Sequence, residues 1–365
     1  MNKSLILLRL YSKYFISILL FLLWFGKARG DGWRWSYLSD ISMVWDSNVF
    51  ELVSDSASDG SEKLLMDLKG RGRLFGSILA ALKYRGAWES YNRYPAENRL
   101  INDLICKIEI PLKKRITIGI RSQGRNKLFP QAKRGYIFIQ QTPFFRYIFQ
   151  NGLHFSIFYS YLDFDYKMGS YFDYRQHKVG ALMELALWPD AIWNFQISMG
   201  YTYYNRDAKE LIKYSQLVYE WVDLDKKQSD RLYGFSTSLD FFKYIFLKVQ
   251  LGYYKNVSNS YGYSFDCTEL DFIASKQLPW SLIVRLLVNL QFKSYVDFTK
   301  LFYLPIQISP ETEIEKDNIF LVDIIKDIKD NYSIRLRYAL YKNESIFWNL
   351  YYIKKIFSIG FTYNL

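Results

Sequence analysis

The chain has 365 residues, a formal net charge of +12 and a 19% aromatic content that includes 32 Tyr. Residues 1–30 carry five Lys or Arg and no acidic residue, so the remainder holds 43 basic against 36 acidic residues, a net +7. So mild an excess, with no basic stripe or tail, excludes nucleic acid as the partner. Tyr and Trp in such abundance suit a boundary between apolar and wet surroundings.

Lys3, Arg9 and Lys13 precede an apolar run from Phe15 to Phe25, and Ala28-Arg29-Gly30 follows as a cleavage site. This layout predicts a secretory signal peptide over 1–30, cleaved after Gly30. The run is short for a helix that crosses a bilayer, and no Cys follows it to carry a lipid. Residues 31–365 then form the mature chain, without a detachable soluble domain.

From residue 33 onward the dominant pattern has a period of two, the signature of strands with one apolar and one polar face. Segments 33–50, 74–88, 99–110, 115–126, 152–164 and 174–188 follow it. It is sharper where Trp193, Phe195, Ile197, Met199 and Tyr201 alternate with Asn194, Gln196, Ser198 and Gly200. Segments 230–241, 245–254, 264–276, 282–293 and 332–340 repeat it. Pro143 would interrupt a central strand, and 317–327 does not alternate.

Short joints fall near Gly70–Arg73, Pro111–Lys114, Tyr147–Gly152, Pro189–Ala191, Lys243–Tyr244, Leu278–Pro279 and Asp327–Asp330. Longer polar connections fall between them, near 51–62, 91–98, 126–134, 165–173, 206–229, 256–263 and 294–316. The Gly70-Arg71-Gly72-Arg73 stretch reads as a basic turn. Residues 206–229 are apolar for a loop (Leu211, Ile212, Trp221), and three roles are open: extension of the flanking strands, a constriction folded into the lumen, or a partner surface. The same question attaches to 294–316, where Phe298, Leu301 and Phe302 precede Glu311, Glu313 and Glu315.

The polar faces are rich in small residues, among them Gly119, Gly180, Gly200, Gly234, Gly252 and Ser198, which suits a confined lumen. Strands satisfy every backbone group in lipid only when closed into a barrel. The fold expected is therefore all-β: a transmembrane antiparallel up-and-down β-barrel of about 16 strands, with 14 to 18 compatible. Parity places Lys83, Arg85, Lys107, Arg121, Lys248, Arg285, Lys293, Arg335 and Arg337 on the lumen wall. It adds Glu109, Glu184, Glu269 and Asp271 as acidic counterparts. Cys106 and Cys267 lie among apolar residues and are expected as free thiols on the lipid-facing surface.

The closing stretch, Phe347 to Leu365, sorts by parity alone: Tyr351, Ile353, Phe357, Ile359, Phe361, Tyr363 and Leu365 against Lys354, Ser358, Gly360, Thr362 and Asn364. It resembles the terminal strand of Gram-negative outer-membrane β-barrels, although Leu365 stands where a terminal Phe is usual. The resemblance is to this broad porin-like class and to no narrower family. It implies bacterial outer-membrane localisation, with short turns on the periplasmic side. It also implies that Phe357, Ile359, Phe361, Tyr363 and Leu365 act as a signal to the outer-membrane assembly machinery. Membrane lipids are then partners, and a homo-oligomer or an envelope protein is a further one to consider.

The catalytic inventory is thin. Outer-membrane phospholipases place a Ser two residues after a lipid-facing His, but Val179 follows His177. Omptin-type proteases pair Asp and His at the outer mouth, and Asp173 near His177 has no recognisable partner carboxylates. His154 reads as a polar lumen residue. No enzyme, cofactor or metal site is expected. The function expected is a passive channel for small, anionic solutes, against a plugged, non-conducting barrel that anchors or scaffolds an envelope assembly.

Overall fold

The computed structural model describes residues 33–51, 56–74, 76–132, 134–167, 169–213, 219–296, 318–343 and 352–365. Residues 1–30, expected as a signal peptide, most of 294–316 and positions Phe347 and Tyr351 lie outside the described residues.

Sixteen strands follow one another around a single closed barrel. They are β1 (Arg34–Asp46), β2 (Asp59–Arg73), β3 (Leu79–Tyr91), β4 (Arg99–Lys113), β5 (Ile116–Leu128), β6 (Gly135–Ile148), β7 (His154–Tyr166) and β8 (Tyr174–Trp188). The series continues with β9 (Ala191–Lys213), β10 (Tyr219–Phe241), β11 (Phe246–Ser258), β12 (Phe265–Leu278), β13 (Leu282–Tyr295), β14 (Asn318–Lys329), β15 (Tyr332–Asn343) and β16 (Tyr352–Asn364). Each pairs antiparallel with its chain neighbours, and β1 pairs β16 from Leu38↔Asn364 to Asp46↔Ile356. Strand number and fold class are as expected.

Side-chain alternation sets the two faces. On β1, Ile41, Met43 and Trp45 are exposed outward while Asp40, Ser42 and Asp46 are buried inward. Paired residues share a face, so the register carries this assignment around the whole barrel. The outward set is apolar on every side, including Ile139, Val179, Ile197, Leu251, Ile324 and Phe357. An apolar belt of that extent is unfavourable against water and favourable against lipid acyl chains. Trp188, Tyr244 and Trp280 stand exposed at the short-turn end, the position of an interfacial aromatic girdle.

Three expectations change. The Gly70-Arg71-Gly72-Arg73 stretch is the end of β2, not a turn, and the turn comes after it. Trp35 and Trp33 lie over Gly70 and Gly72 and stack on each other at 5.5 Å; the glycines are there because the indoles occupy the space of a side chain. Cys267 is buried on the inner face opposite Lys293, since its parity is opposite to that of Leu270 and Phe272. Cys106 faces outward, and both thiols are free. Residues 206–229 are mostly strand: β9 and β10 run 23 residues each, with register shifts between Asp223 and Ser229.

The two weak stretches are strands as well. In 317–327 alternation fails because Leu321 packs on the inner face beside buried Asp323. Pro143 lies inside β6, and the ladder to β7 passes from Gln141↔Tyr161 to Phe144↔Phe158 without a change of register. A hydrogen bond of 3.1 Å between Thr142 and Ser160 spans the gap.

Deleting residues 357–365 removes every β1–β16 pair except Asp46↔Ile356. The truncated chain should fail to close, losing the heat-modifiable migration of a folded barrel in detergent electrophoresis. Normal migration and vesicle insertion of the truncated chain would refute the role given to β16.

Candidate functional site

The candidate site is the inner wall. By register all thirteen expected lumen residues lie on the inward face. Rows of paired residues run across the strands, and one of them is charged for half its length. Asp67 on β2 faces Arg85 on β3, which faces Asp103 on β4, which faces Arg125 on β5. Arg85 donates to Asp67 at 2.9 Å and Arg125 to Asp103 at 2.9 Å. Lys83 and Lys69 also approach Asp67, at 3.9 and 3.8 Å.

Beyond Arg125 the same row turns aromatic. The guanidinium sits 5.6 Å from the Phe138 ring, and Phe138, Phe164, Tyr174 and Tyr204 follow on β6 to β9 with centroid spacings of 6.2, 5.0 and 5.5 Å. Tyr136 and Tyr166 join them, and Phe164 is only 2% exposed. This is a small apolar core inside the barrel.

Elsewhere carboxylates are shared between cations or held by amides. Arg337 grips fully buried Asp323 through two bonds of 2.6 and 2.8 Å, and Arg285 lies 3.9 Å from the same carboxylate. Glu109 takes Lys107 at 2.9 Å and Arg146 at 3.3 Å. The Asn289 amide donates to both Glu269 and Asp271. Glu184 meets His154 at 3.2 Å near the short-turn end, and Lys248 lies 3.9 Å from Asp240. Lys293 stands 5.7 Å from the Phe265 ring. Arg121 makes no hydrogen bond or ion pair among the described residues. His177 faces outward, bonded to the Tyr159 hydroxyl at 2.6 Å.

Several partners were invisible to parity reading: Asp40, Asp46, Asp67, Glu89, Arg99, Asp103 and Asp323. Asp67, Glu89, Arg99, Asp103 and Asp323 share parity with an expected lumen residue on their own strand or face one across a ladder, whereas Asp40 and Asp46 lie on β1, which carries none. Only the register identifies the pairs. The densest group closes the β1–β16 seam. Arg335 on β15 reaches over β16 to Asp40 on β1 at 2.8 Å, and Thr362 donates to the other Asp40 oxygen at 2.7 Å. Lys354 on β16 bridges Asp46 at 2.9 Å and Glu51 at 2.8 Å. Gly360 lies under the Asp40 carboxylate and leaves it room to pass.

Two cavities open into this wall. The first, about 250 Å³, lies behind the seam and is lined by Ser42, Lys63, Glu89, Arg99, Arg335 and Lys354 among others. The second, about 260 Å³, lies on β5–β9 and is lined by Arg121, Gln140, Thr142, Phe158, Ser160 and Lys178 among others. No cluster of His, Cys, Asp and Glu suited to a metal occurs among the described residues.

No protein-family model matches the chain, and no curated protein matches it in sequence. Among solved structures it is similar to a BenF-like porin from Pseudomonas fluorescens, with 8% identity over 92% of this chain and 99% of that one and a TM-score of 0.46. It is also similar to OccAB1 of Acinetobacter baumannii, at 10% identity over 91% and 96% and a TM-score of 0.49. OccK2 of Pseudomonas aeruginosa gives 8%, 91%, 98% and 0.43. The fold described above is read from the strand order itself.

Burial works to raise the Glu51 carboxyl pKa, but the Lys354 ammonium, with Arg99 and Lys127 farther off, holds it below the usual carboxylate range. A depressed folded pKa contributes stability above the unfolded carboxylate value and loses it as pH falls through the folded one. Glu51→Gln should therefore flatten the acid limb of the urea-unfolding midpoint against pH, and an unchanged limb would contradict this. Arg337→Ala leaves Asp323 buried without its bidentate partner and should cost about 3–5 kcal/mol in urea unfolding. A loss under about 1 kcal/mol, the scale of an exposed ion pair, would refute the burial argument.

Proposed function

We propose that this protein is a porin-like channel of a bacterial outer membrane that passes small solutes and favours anions. One observation carries the reading. Inward-pointing cations keep much of their surface exposed although they lie within the barrel: Arg85 is 49%, Arg285 46% and Lys83 36% exposed. Charged heads that retain hydration inside a closed barrel line water, and an excess of Arg and Lys on such a wall favours anions. On this reading the short turns and both described termini face the periplasm, and β16 is the segment read by the assembly machinery.

A second reading, a plugged barrel that anchors an envelope assembly, draws support from the buried aromatic group around Phe164. Reconstitution in planar bilayers separates the two. The channel reading expects stable conductance with a reversal potential displaced toward the anion equilibrium under a salt gradient. Arg285→Glu should move that potential toward zero. Absence of current at every voltage would end the channel reading and leave the anchor.

A further inference from the structure

The two cavities are built on the same plan. In the first, one register row crosses four strands as Lys63 on β2, Ser42 on β1, Gly360 on β16 and Arg335 on β15. In the second, the row is Arg121 on β5, Thr142 on β6, Ser160 on β7 and Lys178 on β8. Each row sets two cations about 14 Å apart along the sheet, three strand spacings, with two small residues between them. Lys63 and Arg335 line the first cavity, and Arg121 and Lys178 line the second.

Three cations of these rows, Arg335, Lys63 and Arg121, keep donors that no described residue accepts from. Arg335 gives one N–H to Asp40, but its Nε is buried with no acceptor. Lys63 makes no hydrogen bond or ion pair among the described residues, and its cross-strand neighbour Glu89 is engaged by Arg99 at 2.8 Å. The other carboxylates lining the first cavity are engaged too: Asp40 by Arg335 and Thr362, Glu51 by Lys354. No carboxylate lines the second cavity, where Arg121 is unpaired among the described residues. Its hydroxyls are organised: Gln140 donates to Ser160 at 2.8 Å and Thr142 bonds the same oxygen at 3.1 Å. With both lone pairs of Ser160 engaged, its own proton is left to donate.

A buried donor without an acceptor, as Arg335 Nε is, costs free energy unless something accepts from it. Cationic donors at both ends, with one hydroxyl (Ser42) or two (Thr142 and Ser160) between them, match the several oxygens of a compact oxyanion. We propose that each cavity is a binding station for one small oxyanion, the first spanning the β1–β16 seam and the second the β5–β8 wall. The stations deepen the channel reading by naming its solute class, yet binding at them does not require conduction.

Isothermal titration calorimetry of the full chain, folded in detergent and free of competing anions, tests this with inorganic phosphate. Two saturable sites are expected. Lys63→Gln should remove one site and Arg121→Gln the other, each weakening binding there at least about tenfold; the double variant should bind none. Lys63→Arg and Arg121→Lys keep the charge and should retain both sites, which separates loss of binding from loss of fold. No saturable binding by the unmodified chain, or two sites surviving in the double variant, overturns the proposal. Phosphate binding without current would refute the channel and keep the stations, whereas current without phosphate binding would do the reverse.

Discussion

Closure between the first and last strands is the constraint on which everything else depends. A strand edge left open in lipid would strand a row of N–H and C=O groups without partners, at several kcal/mol each. Here β1 and β16 meet along a nine-pair ladder, and Tyr37 and Leu365 exchange backbone hydrogen bonds of 2.9 and 2.8 Å at its end. The ladder is backed from inside by Arg335–Asp40, Thr362–Asp40 and Lys354–Asp46. These contacts join residues separated by about three hundred positions, so they form only when both ends of the chain are in place. Long-range closure of this kind is entropically late. The charged clasp therefore rewards the last event of folding.

Inside the barrel, charge does two jobs at once. Asp323, Asp40 and Asp46 are almost wholly buried, and each is held by a guanidinium or an ammonium. They stiffen the wall. Arg285, Arg335 and Arg337 keep part of their surface in the lumen and so still shape the field inside the barrel, whereas Lys354 is buried with its partner. Carboxylates sit against the wall and cations reach inward. That arrangement yields a positive interior from a nearly balanced inventory.

Much of this was legible in the sequence, for a simple reason. A period of two survives in any strand with lipid on one side and water on the other, so faces could be assigned without knowing neighbours. That sufficed for Arg121, Lys248 and Arg337. It did not suffice for pairs, because pairing depends on register, and register depends on turn geometry that the alternation does not encode. Asp323 was missed because Leu321 and Ile325 obscure the alternation of β14. Cys267 was misplaced because apolar neighbours of the other parity surrounded it. The outer half of the β9–β10 pair resembles a connection in sequence because its polar and apolar residues do not alternate cleanly, and strand extension is one of the three roles such a stretch fits.

The glycines of the polar face carry a meaning beyond smallness. Phe144 lies across Gly119, Phe158 across Gly180 and Tyr254 across Gly234, so these rings are laid flat like tiles and do not jut from the wall. A methyl group at Gly234 would stand 2.8 Å from Tyr254 Cδ1 and would have to lift that ring. The bore at this level is thus governed by residues that never point into it. A single added carbon works as a shutter, narrowing the passage by moving a neighbour and leaving every charge where it was.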